Sequence, residues 1–107
     1  MTILPKPIEA YFASAPDADF DALAAIFTED AVVHDEGKQH EGIAAIRAWR
    51  LDTMQRTPFT SRPLSVETRN DEMIVPAEVT GAFPGSPVTL DHAFTLRDGR
   101  IALLAIK

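Results

Sequence analysis

The hydrophobic pattern of this 107-residue chain changes period near its middle. In the first half, apolar residues recur at steps of three and four positions, as they do on one face of a helix. From about residue 60 onward they alternate with polar residues, as they do in strands. Helices followed by alternating strands predict an α+β domain in which the helices cover one face of an antiparallel sheet.

Three helices are predicted before residue 58. Pro7 suits the first turn of the first helix, Tyr11 lies on its apolar face, and Pro16 ends it. Asp17 or Asp19 can cap the second helix, because a carboxylate accepts hydrogen bonds from the free N–H groups of the first turn. The apolar stripe of the second helix comprises Phe20, Leu23, Ile26 and Phe27.

A short strand is predicted at 31–35, and the third helix runs from Ile43 to just before Pro58. Four more strands are expected at about 60–69, 73–83, 87–97 and 100–107. The dipeptide Asp98-Gly99 between two alternating runs is a strong hairpin signal. The second half is therefore predicted to be an antiparallel meander, and we expect one domain spanning 1–107.

Composition excludes several classes of protein. A formal net charge of −6 argues against nucleic acid and anionic membranes as partners. The chain has no cysteine, which excludes disulfides, thiolate zinc sites and cysteine nucleophiles. The three histidines lack metal-ligand spacing, so we expect neither a metal nor a cofactor. The sequence start lacks the apolar core of a signal peptide, and no stretch approaches the ~18 apolar residues of a membrane span, which predicts a cytoplasmic location.

Three side chains are candidates for acid–base chemistry. Tyr11 and Asp35 lie at opposite ends of a compact, mostly apolar unit, and Asp91 lies in the middle of the alternating run PVTLDHAFTL. A phenol, a carboxylate and a buried carboxyl can together move protons without a metal or cofactor. Each has a structural alternative: Tyr11 as a core aromatic, Asp35 as a turn-forming acid, and Asp91 as an acid facing water on a half-buried sheet.

Three segments carry a resemblance to a known family: DFDALAAIFTEDAVVHD, EGIAAIRAW and LDHAFTLRDGRI. They resemble the NTF2-like superfamily and, within it, the SnoaL-like and ketosteroid-isomerase-like branch. The resemblance extends from about Tyr11 to Ile106. It implies a cone-shaped fold of three N-terminal helices packed on a curved, mostly antiparallel sheet, with a pocket at the open end.

The resemblance also implies roles for individual residues. Tyr11 matches the oxyanion-binding tyrosine, Asp35 the general base, and Asp91 the protonated second oxyanion donor. His92 follows Asp91 as in the family, and we expect it on the other face of the sheet as a packing or interface residue. The substrate implied is a small hydrophobic carbonyl compound, and the residues expected to contact it are Phe27, Trp49, Arg50 and Ala93.

Three functions remain open at this stage. The first is a cofactor-free isomerase or cyclase of the ketosteroid-isomerase type. The second is a non-catalytic ligand-binding or accessory protein that uses the same pocket. The third is an epoxide hydrolase or dehydratase, in which Asp35, Arg50 and Asp91 would imitate the Asp–Arg–Asp arrangement of epoxide hydrolases of this fold.

A homodimer is expected from the pattern of the same late strand. His92, Phe94 and Leu96 share one face of it, and we assign that face to the convex side of the sheet. An apolar face of that size usually needs covering. The sequence therefore predicts a partner chain on this face.

Overall fold

The computed structural model describes residues 4–15 and 17–106, which form three helices and one open, mixed sheet of seven strands. In chain order the elements are α1 (Lys6–Ala13), α2 (Phe20–Ile26), β1 (Phe27–Asp35), β2 (Lys38–Glu41), α3 (Ile43–Arg56), β3 (Phe59–Pro63), β4 (Glu67–Arg69), β5 (Glu72–Gly81), β6 (Val88–Arg97) and β7 (Arg100–Ile106). The α+β class is confirmed. The helices are not one N-terminal block, however, because β1 and β2 separate α2 from α3.

The strands are ordered β2-β1-β7-β6-β5-β3, with β4 also pairing with β5. Among these described strands the pairing is antiparallel except between β1 and β7. Asp98 and Gly99 join β6 to β7 with φ angles of 54° and 77°. Positive φ at both central residues is the requirement of a two-residue type I′ hairpin, so the predicted hairpin and the meander of β5, β6 and β7 are confirmed.

Two strand boundaries differ from the prediction. The expected strand at 60–69 is divided into β3 and β4, which pair with separate parts of β5. Beyond Pro63, the Leu64 N–H donates to the carbonyl of Pro76 at 2.9 Å, but Pro76 in β5 has no N–H to donate in return, so the ladder ends there. The strand expected at 31–35 begins at Phe27, which was assigned to the stripe of α2. Phe27 is instead the first residue of β1 and is completely buried.

The ends of the first two helices are set by side chains. Asp19 caps α2, because its carboxylate accepts a hydrogen bond of 2.9 Å from the backbone N–H of Ala22. Helix α1 ends at Ala13, and the Ser14 hydroxyl donates to the backbone carbonyl of Tyr11 at 2.7 Å. Pro16, which was predicted to end α1, lies outside the described residues.

Phe20 departs from the predicted stripe of α2, because 53% of its surface is exposed. Its ring lies under the guanidinium group of Arg47, whose central carbon is 5.5 Å from the ring centre. The stripe of α2 is therefore narrower than predicted, since Leu23 and Ile26 alone are buried within this helix.

The core lies between the helices and one face of the sheet. Its completely buried large side chains are Ile8, Leu23, Phe27, Val33, Ile46, Val75, Phe94, Ile101 and Leu104. Strand β6 contributes Phe94, whose ring packs edge-on against Tyr11 and Phe12 of α1. His92, on the same face, is only 3% exposed.

This packing overturns the argument for a partner chain on that face. Within the chain, α1 already covers His92 and Phe94, so they lie on the inner side of the sheet and not on the convex side. The homodimer remains a prediction without this support. No helix in the described part of the chain is long and apolar enough to cross a bilayer.

Candidate functional site

A pocket of about 690 Å³ lies between α1, α3 and the inner face of the sheet. This volume is in the range of sites for small organic ligands, ~300–1,000 Å³. Most of its wall is apolar, formed by Phe12, Met54, Phe59, Val79, Phe83, Val88, Leu90 and Ile106. The polar lining includes Tyr11, Asp35, Arg50, Thr53 and His92, contributed by four different elements.

Asp35 enters this pocket from the end of β1. It is half-buried, and its Oδ2 accepts a hydrogen bond of 3.0 Å from Nε1 of Trp49, in the middle of α3. Within the described residues, Oδ1 makes no hydrogen bond. The following turn is formed by Glu36 and Gly37, both with positive φ, so the Asp35 side chain is not needed to close it. One carboxylate oxygen is thus fixed, and the other is available to a ligand.

Tyr11 reaches the pocket from α1. Its ring is buried, with edge-on contacts to Phe27 at 6.0 Å and Phe94 at 5.6 Å between ring centres. Burial raises the pKa of the phenol to about 12; the positive charge of Arg50 opposes this rise and the negative charge of Asp35 adds to it. At neutral pH the phenol therefore keeps its proton and can donate a hydrogen bond.

Arg50 connects α3 to the end of α1. Its Nη2 donates to Ser14 Oγ at 2.8 Å and to the carbonyl of Ala15 at 3.1 Å. The central carbon of its guanidinium lies 5.2 Å from the centre of the Tyr11 ring, in the geometry of a cation–π contact. Arg50 therefore ties the end of α1, which carries Tyr11, to α3. It also places a positive charge against the Tyr11 ring.

Two polar atoms of pocket-lining residues are buried and have no hydrogen-bond partner in the described part of the chain. They are Nε of Arg50 and Oγ1 of Thr53. Buried polar groups in native proteins are nearly always satisfied by protein or by ordered water, so each unpaired one calls for a partner. Because both atoms are enclosed by the protein itself, they are not contact points for a ligand in the pocket.

His92 was expected to be a packing or interface residue, but it lines the pocket. Its Nδ1 lies 3.1 Å from the carbonyl oxygen of Leu90, and a carbonyl can only accept, so Nδ1 carries the proton. Burial lowers the pKa of the imidazole, with the hydrogen bond to Leu90 and the charges of Asp35 and Asp91 opposing. In the neutral ring, Nε2 is therefore an acceptor.

Asp91 does not lie in this pocket. It is exposed, on the opposite face of β6 from Leu90 and His92, and the prediction that its face lines the pocket is wrong. The alternation of β6 allows either face to turn inward. Burying Val88, Leu90, His92 and Phe94 is favourable, whereas burying Asp91 would require desolvation of a carboxylate. The greater apolarity of the first face was the signal available in the sequence.

Of the four residues expected to contact substrate, Trp49 and Arg50 line the pocket. Phe27 is not among the lining residues, because it is completely buried behind Tyr11. Ala93 is 5% exposed and shares the outer face with Asp91, where it lies between Ile74 and Ala105 on the neighbouring strands. Contact of either one with a pocket ligand is therefore contradicted.

Charged side chains stand at the pocket beside Asp35. Arg56, at the end of α3, pairs with Asp52 at 2.8 Å and with Glu36 at 3.5 Å. All three side chains are more than half exposed, so solvent screens these ion pairs and they add little to stability. The described residues contain no cluster of three His, Cys, Asp or Glu side chains that could hold a metal ion.

Comparison with known families and structures adds independent evidence. The sequence profile of the SnoaL-like domain family matches residues 8–104. A structure from Sinorhizobium meliloti, described as a proposed polyketide cyclase, is 44% identical, with 97% of this chain and 95% of that chain covered and a TM-score of 0.87. Among curated proteins, none matches significantly.

Two more distant structures share the fold. A protein from Catenulispora acidiphila with a ketosteroid isomerase-like fold, solved with trimethylamine, is 18% identical (98% and 86% covered, TM-score 0.80). An epoxide hydrolase of M. tuberculosis, described as LEH-like, is also 18% identical (95% and 79% covered, TM-score 0.71). At this identity the likeness concerns the fold alone.

Proposed function

Because the chain belongs to the SnoaL-like domain family, we propose that its pocket binds a small hydrophobic carbonyl compound and catalyses a cofactor-free proton transfer beside the carbonyl. One observation carries the proposal: the buried phenol of Tyr11 and the carboxylate of Asp35 line the same largely apolar pocket. A hydrogen-bond donor for an oxygen and a base for a C–H group are the two parts that such a reaction needs.

In the proposed reaction, Asp35 removes a proton from the carbon next to the carbonyl. The electron pair of the broken C–H bond forms a carbon–carbon double bond, and negative charge moves to the carbonyl oxygen. Tyr11 donates a hydrogen bond to that oxygen. Asp35 then returns the proton to the γ carbon, so that a β,γ-unsaturated ketone becomes its α,β-unsaturated isomer and the enzyme is unchanged.

Neighbouring residues support these two roles. The indole of Trp49 fixes one oxygen of Asp35, which leaves the other oxygen to face the substrate. Arg50 places a positive charge against the Tyr11 ring, where it favours negative charge developing at the phenol end of the hydrogen bond. Asp91 has no part in this proposal, since it lies outside the pocket.

The test is turnover of a β,γ-unsaturated ketosteroid, followed by the absorbance of the conjugated product. We expect turnover by the wild-type protein and its loss in Asp35→Asn, with the thermal midpoint Tm of the variant close to that of the wild type. Asp91→Asn is the matched control, because it removes the same charge from the outer face. Equal rates in wild type and Asp35→Asn would refute Asp35 as the base.

A second candidate is a ligand-binding protein that performs no chemistry. One observation favours it: of the two expected oxyanion donors, Tyr11 alone lies in the pocket. Trp49 is the single tryptophan of the chain and lines the pocket, so its fluorescence reports binding directly. Saturable quenching by a ketone without product formation would select this candidate. Epoxide hydrolysis is not proposed, because the trio of Asp35, Arg50 and Asp91 is not brought together.

A further inference from the structure

The polar atoms of the pocket include one acceptor that the proposed proton transfer does not use. This is Nε2 of His92, on the inner face of β6. The other ring nitrogen is occupied by the carbonyl of Leu90 at 3.1 Å, which fixes the tautomer. Within the described residues, Nε2 makes no hydrogen bond.

The surroundings of this imidazole are aromatic. Phe12 lies 5.4 Å away and Phe94 6.2 Å away, measured between ring centres, and the Phe94 ring is nearly parallel to the imidazole. Tyr11 is at 6.4 Å. In such surroundings an unpaired lone pair is costly, and a charged donor would lose more hydration than a neutral one. A neutral hydroxyl is the donor that fits this place.

We infer that His92 selects, among hydrophobic ketones, those that carry a hydroxyl group, which donates its hydrogen bond to Nε2. This inference rests on the proposed function, which it deepens by naming the substrate class. The donor of Tyr11 meets the carbonyl, and the acceptor of His92 meets a hydroxyl elsewhere on the same molecule. A site built to pair with a hydroxyl rejects analogues that lack it, because its own polar group is then left unpaired.

Two substitutions separate the two ring nitrogens. His92→Asn keeps an amide donor near the position of Nδ1, for the carbonyl of Leu90, and removes the acceptor at Nε2. His92→Gln extends an amide to the position of Nε2 and can keep an acceptor there. Comparable Tm values for both variants and the wild type establish that the fold is retained.

The probes are 5-, 6- and 7-hydroxy-1-tetralone, each with its methoxy analogue, and unsubstituted 1-tetralone as the control for the bulk of the methyl group. Binding is measured by isothermal titration calorimetry at pH 7.5. We expect at least one hydroxytetralone to bind wild-type protein about tenfold more tightly than both its methoxy analogue and 1-tetralone. His92→Asn should reduce that ratio to about one through weaker binding of the hydroxy compound alone, and His92→Gln should retain part of it.

The outcomes distinguish this inference from the proposed function. A hydroxyl preference that is missing in the wild type, or that persists in His92→Asn, overturns the selection by His92 and leaves the ketone pocket in place. Failure of every tetralone to bind overturns the ketone pocket and this inference together. If the protein shows no isomerase turnover but keeps the hydroxyl preference, the proposed reaction is wrong and the selection by His92 stands. The protein would then be a hydroxyketone-binding protein.

Discussion

Two carboxyl groups of one sheet, those of Asp35 and Asp91, lie in opposite surroundings. Asp35 ends β1, is half-buried, and is held by the Trp49 indole at 3.0 Å in the wall of the pocket. Asp91 lies in the middle of β6 and is exposed on the other face of the sheet. A carboxylate can be buried where a hydrogen-bond donor from another element pairs with it. Without such a donor, the strand orients the carboxylate towards water.

The largest expected effect is the difference in activity between the Asp35→Asn and Asp91→Asn variants. Asp35→Asn should lower kcat/KM for the ketosteroid by about 10²–10⁴-fold, the usual contribution of a positioned general base. Asp91→Asn should change it less than about twofold, since surface substitutions are usually near neutral. Both rates come from the same absorbance assay. A larger loss in Asp91→Asn than in Asp35→Asn would reverse the assignment.

The next effect concerns the donor that works with Asp35. Tyr11→Phe keeps the buried ring and removes the hydroxyl group that donates the hydrogen bond. We therefore expect kcat to fall by about 10²–10³-fold, as for the loss of one oxyanion donor. Titration of the wild-type phenol by its absorbance near 295 nm is the accompanying measurement. Because burial raises the pKa of Tyr11 to about 12, its tyrosinate signal should not develop around pH 10 while the protein is folded. A folded-state midpoint near 10 would contradict the buried position.

A smaller effect is expected at the donor that holds Asp35. Trp49→Phe removes the 3.0 Å hydrogen bond and preserves an aromatic ring in the wall. We expect kcat to fall about tenfold, with KM changed much less, because the carboxylate is less well oriented and a hydrogen bond to a charged group is lost. Steady-state kinetics separate the two constants. A rise in KM with unchanged kcat would make Trp49 a binding residue only.

The smallest effect is on stability and belongs to the residue beside Asp91. Burial lowers the pKa of His92 below 6.5 in the folded state, so the unfolded chain binds a proton more readily as the pH falls below that value. This contribution to stability is present above pH 6.5 and is lost as the pH falls towards the folded-state pKa.

The measurement is the decrease in Tm from pH 7.5 to pH 5.5 in wild type and in His92→Asn. The Tm of the wild type should decrease more than that of His92→Asn, by on the order of a few degrees. Asp35, Asp91, Tyr11 and Arg50 surround this region in both proteins, so the difference isolates the imidazole. Equal decreases would show that protonation of His92 does not affect folding.

Much of the fold followed from local signals. The periods of the two halves predicted the three helices and the strands other than β2, and Asp98-Gly99 predicted its hairpin because few dipeptides accept positive φ at both positions. The beginning of β1 at Phe27 was missed, since an apolar run continues from α2 without a breaker. The division between β3 and β4 was also missed, because the residue that ends the ladder is Pro76 in the partner strand β5.

The sequence by itself determined the element types, the acidic balance and the candidate residues Tyr11 and Asp35, because periodicity, turn chemistry and side-chain type are local properties. The sequence indicated the inner face of β6 only through its greater apolarity, and tertiary packing decided it. Alternation is symmetric between the two faces of a strand, and packing against α1 broke that symmetry in favour of the more apolar face. The same packing brought His92 into the pocket and left Asp91 in water.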